Sequence, residues 1–376
     1  MIESLATPEM RMTSYLKKIA TGPQKSVDLT LEEARDGMRL ILERKVHAVQ
    51  AGVFLVALRM KRETDDENKG LLEALREATL SVVTPIPELA EIADPYDGFK
   101  RHIPTSTFLP PLLAECGLPT ISHGCYRVGP KYGITHRQIL ESACIVVNLS
   151  PKEAAHRLAN PNMGWAYLDQ ANFSPALHDL IPLRRLIVKR PSLATLEKLC
   201  GPIRSEGANH LFIGYVHPGY EKQIPMAARH AGYRSCLTVR GIEGGVLLPM
   251  HRASEAMVYT HLGENRSITF DPKEAGIETT LRAVPTGTPN KQLTLVAVNA
   301  EESLSDCDAL LAAASVRIGM EALSGVRGPA YDSLLLSAGA FLYAVGHFPS
   351  LCDAAKFVSK KLDSGAALKR FEQGMS

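Results

Sequence analysis

Between residues 28 and 80 the apolar positions recur at helical spacing, and the breaks between runs carry N-cap chemistry. Asp28 and Thr30 offer caps ahead of LEEARDGMRLILERK, whose first turn is acidic, as the helix dipole favours. VHAVQAGVFLVALRMK spreads apolar residues over more than one face, the pattern of a helix covered on several sides. RETDDENKGLLEALREATLS then restarts with Thr64 and Glu67 in capping-box spacing. Residues 1–80 therefore predict a small all-helical domain.

From about residue 88 the pattern changes to short apolar runs, each closed by a polar turn. LPTISHG (118–124), GWAYLDQ (164–170), HLFIGYVHP (210–218) and RSCLTVRG (234–241) read as strands. HRQILESA (136–143) and YEKQIPMAARHAG (220–232) read as helices between them. Strands alternating with helices predict an α/β domain with a mainly parallel central sheet. SPALHDLIPLRRLIVKRPSLATLEKL (174–199) is helical throughout and interrupts the alternation, so residues 172–200 are expected to rejoin the N-terminal helices. That leaves 81–171 and 201–376 for the α/β domain. EAMVYTHL (255–262) and LTLVAVNA (293–300) read as further strands, with helices from there to the end. SLLLSAGAFLYAVG (333–346) is shorter than a membrane span needs and reads as a core helix.

Composition narrows the classes. The 376 residues are 45% apolar and 22% charged with a net charge of +2, an ordinary globular balance. Such a chain does not coat nucleic acid by bulk charge, although a local basic face remains open. The seven cysteines include no Cys-x-x-Cys pair, so reduced thiols in a cytoplasmic protein are the expectation. The first residues, MIESLATPEM, lack a signal pattern.

In an open parallel sheet, ligands bind beyond the carboxyl ends of the strands. Behind the first strand lies DPYDGFKRHIPTS (94–106), with Lys100 and Arg101. Behind the second come Ser122-His123-Gly124 and then CYRVGPKYGITHR, with Arg127 and Lys131. The third leads into the helical segment with Arg184, Arg185, Lys189 and Arg190, and the fifth into Arg240-Gly241-Ile242-Glu243-Gly244-Gly245. A basic mouth with one or two carboxylates suits a polyphosphate, arginine forks taking the oxygens and a carboxylate holding Mg²⁺. Any single basic residue on such a loop is more often solvated surface. His123 reads equally as an acid/base group or as a cap on its own strand. Glu243, between glycines, reads as a metal ligand or as an acceptor for backbone N–H groups in a tight turn. No Walker loop and no Gly-x-Ser-x-Gly elbow is present.

The order of LTLEEARDGMRLIL, VQAGVFLVALRMKRETDDENKGLLEALRE, the strand-end series, SPALHDLIPLRRL, GPAYDSLLLSAGAFLY and KKLDSGAALKRF resembles the anthranilate phosphoribosyltransferase family. The resemblance runs from Tyr15 to Phe371. It implies a phosphoribosyltransferase or nucleoside-phosphorylase-like fold, a homodimer formed through the helical domain, phosphoribosyl pyrophosphate as donor and Mg²⁺ as cofactor.

The family's active-site motifs are altered here. Its Gly-Thr-Gly-Gly-Asp turn becomes Asp94-Pro95-Tyr96-Asp97-Gly98, where side chains and a proline fill the space of backbone-only glycines. Its Asn-x-Ser-Thr becomes Pro104-Thr105-Ser106-Thr107, and its Lys-His-Gly-Asn becomes Ser122-His123-Gly124-Cys125. Its acidic metal pair becomes Glu243-Gly244, and its anthranilate-holding arginine falls in Arg184-Arg185. Similar edits mark a paralogue branch, some members of which are thought to bind nucleic acid in the basic groove and to lack transfer activity.

Three functions stay open on the sequence. As a phosphoribosyltransferase, the chain would use Thr105 to Thr107 for phosphate, Glu243 with Asp97 for Mg²⁺, and Arg185 for the acceptor carboxylate. As a single-stranded nucleic-acid binder, it would use Lys100, Arg101, Arg127, Lys131, Arg184, Arg185, Lys189, Arg190 and Arg240, with Tyr96, Phe99 and Tyr126 stacking on bases. The third is glycosyl transfer to a different acceptor.

Overall fold

The computed structural model describes residues 6–22, 24–286 and 306–375, the side chains of residues 306 and 307 excepted. The expected strand at 293–300 lies outside the described residues. The chain opens with four helices, α1 (Pro8–Ile19), α2 (Leu31–Leu42), α3 (Ala48–Lys61) and α4 (Asp65–Glu77). Thr30 caps α2: its hydroxyl accepts from Glu33 N at 3.2 Å, and the Glu33 carboxylate accepts from Thr30 N at 3.1 Å. Thr64 and Glu67 repeat this box at α4. Glu67 does more than cap. Wholly buried, it also accepts from Leu29 N and from Lys61 Nζ, both at 2.9 Å, and so ties α2, α3 and α4 together. Thr30 rather than Asp28 is the N-cap of α2, and Asp28 pairs with Lys61.

Two short strands that carry little apolar pattern, β1 (Val82–Thr84) and β5 (Ile203–Ser205), pair in parallel as a separate ribbon. The main sheet contains β2 (Glu88–Ala93), β3 (Thr120–Gly124), β4 (Trp165–Asp169), β6 (Ala208–Gly214), β7 (Ser235–Val239), β8 (Ser254–Tyr259) and β9 (Arg266–Phe270). Its order is β4-β3-β2-β6-β7-β8-β9. Pairing is parallel from β4 to β7 and antiparallel at β8 and β9. The central strands are buried on both faces, which explains their continuous apolar runs. One apolar cluster joins the sheet to the first four helices. A second covers the other face with the helix Pro329–Ala344, whose Phe341 stacks on Phe212 of β6 at 5.0 Å.

The segment from Pro175 does return to the N-terminal helices, but in pieces: Pro175–His178, Ile181–Ile187, Leu193–Leu196 and the 3₁₀ turn Glu197–Leu199. Leu183 and Ile187 lie over Gly52 of α3. Val188 ends the second piece in the left-handed region (φ 62°, ψ −16°), a conformation that a β-branched residue adopts only under strain. The break swings Lys189 and Arg190 away from the helix. Among the described residues no helix is long and apolar enough to cross a membrane.

Candidate functional site

From β2 the chain proceeds through β3 to β4 on one side, and from β6 to β7 on the other. The gap between the carboxyl ends of β2 and β6 is therefore the topological switch point, where such sheets bind ligands. A cavity of about 690 Å³ opens there. Its wall combines the loops behind β2, β6 and β7 with α3 and the broken 175–199 segment, and includes Arg59, Asp97, Arg190, Lys198, Tyr215 and His217.

The loop behind β2 is folded against its neighbours rather than left open. Phe99 exchanges backbone hydrogen bonds with Ile134 at 2.9 and 2.8 Å, and Gly133 N donates to Asp97 O at 2.8 Å. Gly98 sits at φ 74°, and a Cβ there would lie 2.3 Å from Gly133 O, so only glycine fits. Asp94 is buried and accepts from Val246 N at 2.7 Å, from His136 Nε2 at 2.9 Å and from the Ser106 hydroxyl. Burial works to raise its pKa, but the His136 and Ser106 contacts hold it below the usual carboxylate range.

The loop behind β7 crosses the end of β6. A Cβ on Gly214 would fall 1.9 Å from Gly245 O, so the two backbones meet only because β6 ends in glycine. This approach delivers Glu243 to the loop behind β2. Its carboxylate accepts from three consecutive backbone N–H groups, Lys100 at 3.0 Å, Arg101 at 2.8 Å and His102 at 3.1 Å. His102 Nδ1 lies 3.2 Å away and Lys131 Nζ 3.3 Å away. Successive N–H groups turned to one point form an anion-binding nest, and here the anion is the protein's own. Although burial pushes the other way, His102, Lys131 and the backbone donors pull the Glu243 pKa down to about 2.

This arrangement does not fit the Mg²⁺ expected at Glu243. Both oxygens are turned to N–H donors and a lysine, and the adjacent residue is Gly244. Among the described residues no three His, Cys, Asp or Glu side chains are grouped to hold a metal ion. Of the two sequence readings of Glu243, the geometry gives the backbone acceptor.

Asp97, Arg184, Lys189, Arg190 and Glu243 line the cavity. Asp97 is held by Arg190 through Nε at 2.7 Å and Nη2 at 2.5 Å, a fork that spans the mouth. Arg184 is buried and grips Glu197 at 2.6 and 2.9 Å, so its guanidinium is already occupied. Arg185, Lys189, Arg240 and Arg101 are exposed. Lys100 is half-buried, its backbone N–H committed to Glu243. Lys131 lies over the Phe99 ring at 5.2 Å, and burial lowers its pKa. Arg127 faces away, pairing with Asp308 at 3.2 Å.

Several expected phosphate contacts turn inward. His123 is buried, with Nε2 2.8 Å from Glu91 and Nδ1 against the Tyr96 hydroxyl, so neither ring nitrogen reaches the cavity. Gly124 ends β3 beneath the Tyr167 ring. Thr105 Oγ1 meets Ser333 Oγ at 2.8 Å, Ser106 serves Asp94, and the Thr107 hydroxyl is buried without a partner among the described residues. These three residues form a 3₁₀ turn in the core, which removes the hydroxyls from the mouth. Tyr96 and Phe99 are buried, so neither offers a stacking face, and the Arg137 guanidinium lies over one side of the Tyr126 ring at 5.8 Å.

Sequence reasoning missed Tyr215 and His217, although they stand within HLFIGYVHP just past the end of β6 at Gly214, where the strand-end rule would have found them. Arg59 and Lys198 carried no such signal. They lie on helical elements whose rotation toward the cleft depends on packing.

Residues 13–79 match a glycosyl transferase family helical bundle domain, and residues 98–368 match that family's α/β domain. The anthranilate phosphoribosyltransferase of Methylobacterium nodulans is 28% identical over 353 residues, covering 94% of each chain. That of Haloferax volcanii is 27% identical, covering 95% of this chain and 97% of its own. Among solved structures, the Thermus thermophilus anthranilate phosphoribosyltransferase superposes with a TM-score of 0.70 at 22% identity, covering 97% of this chain and 99% of its own. The Saccharomyces cerevisiae enzyme in complex with phosphoribosyl pyrophosphate and Mg gives 0.72 at 16% identity, covering 97% of each.

Proposed function

We propose a function from the premise that this chain belongs to the glycosyl transferase family in which the anthranilate phosphoribosyltransferases stand. It binds phosphorylated ligands in the switch-point cleft, and its pyrophosphate cradle is closed by its own groups, so it does not transfer phosphoribosyl to anthranilate. The observation that carries this is Glu243 on the backbone nest of Lys100 to His102. A pyrophosphate seeking those donors must first displace a buried carboxylate from three N–H groups and a lysine. That costs about 3–5 kcal/mol, or roughly two to four powers of ten in affinity. Tyr96 and Pro95 fill further space that a glycine turn would leave. Magnesium would then arrive with a phosphorylated ligand rather than be held by carboxylates of the chain.

The test follows anthranilate fluorescence with millimolar phosphoribosyl pyrophosphate and Mg²⁺. No turnover is expected, and a rate within about tenfold of the Methylobacterium nodulans relative would overturn the reading. A melting scan with Mg²⁺-pyrophosphate in excess, which tests the cradle alone, should show little upward shift, whereas a shift of several degrees would mean an open cradle.

The exposure of Lys189, Arg190 and Arg240 around the mouth favours a second reading, single-stranded nucleic acid laid along the groove. Its affinity should fall steeply between low and moderate salt. We also place a second copy of the chain on the helical domain. An apolar groove of about 660 Å³ runs between α1, α3 and the helix Ile181–Ile187. Val49, Val53, Met60 and Leu186 stand exposed along it, and Leu186 is 78% exposed.

A further inference from the structure

Lys198 lies in the wall of the cleft, just before the chain enters β5. Its side chain is buried, and its ammonium donates to Gly214 O at 2.7 Å, at the end of β6. Among the described residues it has no other hydrogen bond and no ion pair. The acids that face it are all committed elsewhere. Asp94, from the end of β2, holds Val246 N, His136 and Ser106. Asp97, from the loop, is forked by Arg190. Glu197, its neighbour in the chain, is gripped by Arg184 and accepts from Gln170 at 3.1 Å. Burial outweighs these three charges and lowers the Lys198 pKa to about 8. An ammonium taken out of water with one neutral acceptor and no counter-ion is costly to keep. The three committed acids offset only part of that cost, and an anion entering the cleft would offset more.

We propose that Lys198 receives a terminal phosphate, a monoester dianion that enters the cleft end-on. This rests on the reading of the cleft as a phosphate site and names the group at its deepest point. Only 4% of the residue is exposed, which admits the end of a molecule and excludes an interior phosphodiester whose chain must leave in two directions. Arg59 and Lys189 line the same cavity and would meet the rest of the ligand. Two sources share this chemistry, a phosphorylated sugar and the 5′-phosphate end of a single strand.

The experiment is calorimetric titration of the full chain and of Lys198→Met. The probes are ribose 5-phosphate, a 5′-phosphorylated oligothymidylate and its 5′-hydroxyl twin. Wild type should bind one of the phosphomonoesters, and a strand should bind better with its 5′-phosphate than without. Lys198→Met should weaken that binding at least about tenfold near neutral pH and erase the 5′-phosphate preference. In wild type the affinity should drop as pH rises through about 8, where the amine loses its charge, and the variant should lose this dependence. The variant should melt no lower than wild type, because an apolar chain of similar length replaces an unpaired buried charge. Unchanged binding by Lys198→Met, with binding weakened by Arg190→Ala, would overturn the assignment while leaving the phosphate cleft standing. A variant that melts many degrees lower would make Lys198 a strut for the Gly214 carbonyl and also overturn it. Failure of wild type to bind any of the probes would remove both this assignment and the cleft reading.

Discussion

Two buried charges stand on either side of the same switch point, and the protein treats them in opposite ways. Glu243 is surrounded by three backbone N–H groups, a histidine and a lysine. Among the described residues, Lys198 has one carbonyl and no counter-ion. The first is an anion hole filled from within, and the second a cation left without an anion. The same scaffold can therefore keep its capacity for phosphate while moving it, because a nest built of backbone accepts any carboxylate that the next loop delivers. Gly214 makes the delivery possible, since a side chain there would hold the loop behind β7 off the sheet.

The comparison breaks most decisively at Glu243. Glu243→Ala strips the shared acceptor from three N–H groups and leaves Lys131 without its carboxylate. Unfolding in urea should show a loss of about 3–4 kcal/mol. A loss under about 1 kcal/mol would mean that the nest is solvated and the plug incidental. The pH dependence gives the same answer by another route. The folded pKa of about 2 lies below the ordinary 4.5, so the stabilisation is fully present above pH 4.5 and is lost as pH falls toward 2. A displacement of that size corresponds to about 3 kcal/mol. Glu243→Gln should flatten this acid limb, and an unchanged limb would assign acid sensitivity to other groups.

Next in size is the effect at the apolar groove. The cleft is rimmed with charge, whereas the groove behind it is lined by aliphatic side chains that solvent reaches. The pairing of two copies there predicts that Val53→Glu with Leu186→Glu converts a dimer into a monomer in light scattering. Burying carboxylates in an apolar contact should raise the dissociation constant by at least about a hundredfold. A wild-type chain that is already monomeric at micromolar concentration would remove this proposal without touching the cleft.

How far the sequence alone reached follows from the physics of each part. Capping boxes at Thr30 and Thr64, and apolar runs at the central strands, are local signals, and the structure places those elements where the pattern did. Strand β9 and the ribbon of β1 with β5 are short and largely exposed or polar, so no periodicity marks them. The site was legible as a set of loops but not as a set of roles. Glu243 could be found between its glycines, yet its partners are more than a hundred residues away and are backbone atoms, which carry no side-chain signal. His123, Ser106 and Arg184 were visible as polar residues near strand ends. That each is consumed by a buried partner became evident only when Glu91, Asp94 and Glu197 were in place. Lys198 is the converse, an ordinary lysine in a helical run whose isolation is a property of the fold.

The smallest expected effect lies where the mouth is shaped. Val188 is held at φ 62° at the end of the helix Ile181–Ile187, and 62% of it is exposed, so little burial compensates for the strain. A β-branched residue there costs about 1 kcal/mol or more relative to one that tolerates the left-handed region. Asparagine tolerates it without the extra unfolded-state freedom that glycine would bring. Val188→Asn should therefore raise stability by about 0.5–1 kcal/mol, read as a shift of the urea midpoint with an unchanged slope. If the variant is instead less stable, the contact of the isopropyl group with the cleft wall outweighs the strain. The turn that presents Lys189 and Arg190 would then be held by packing at the mouth rather than imposed on the backbone by its neighbours.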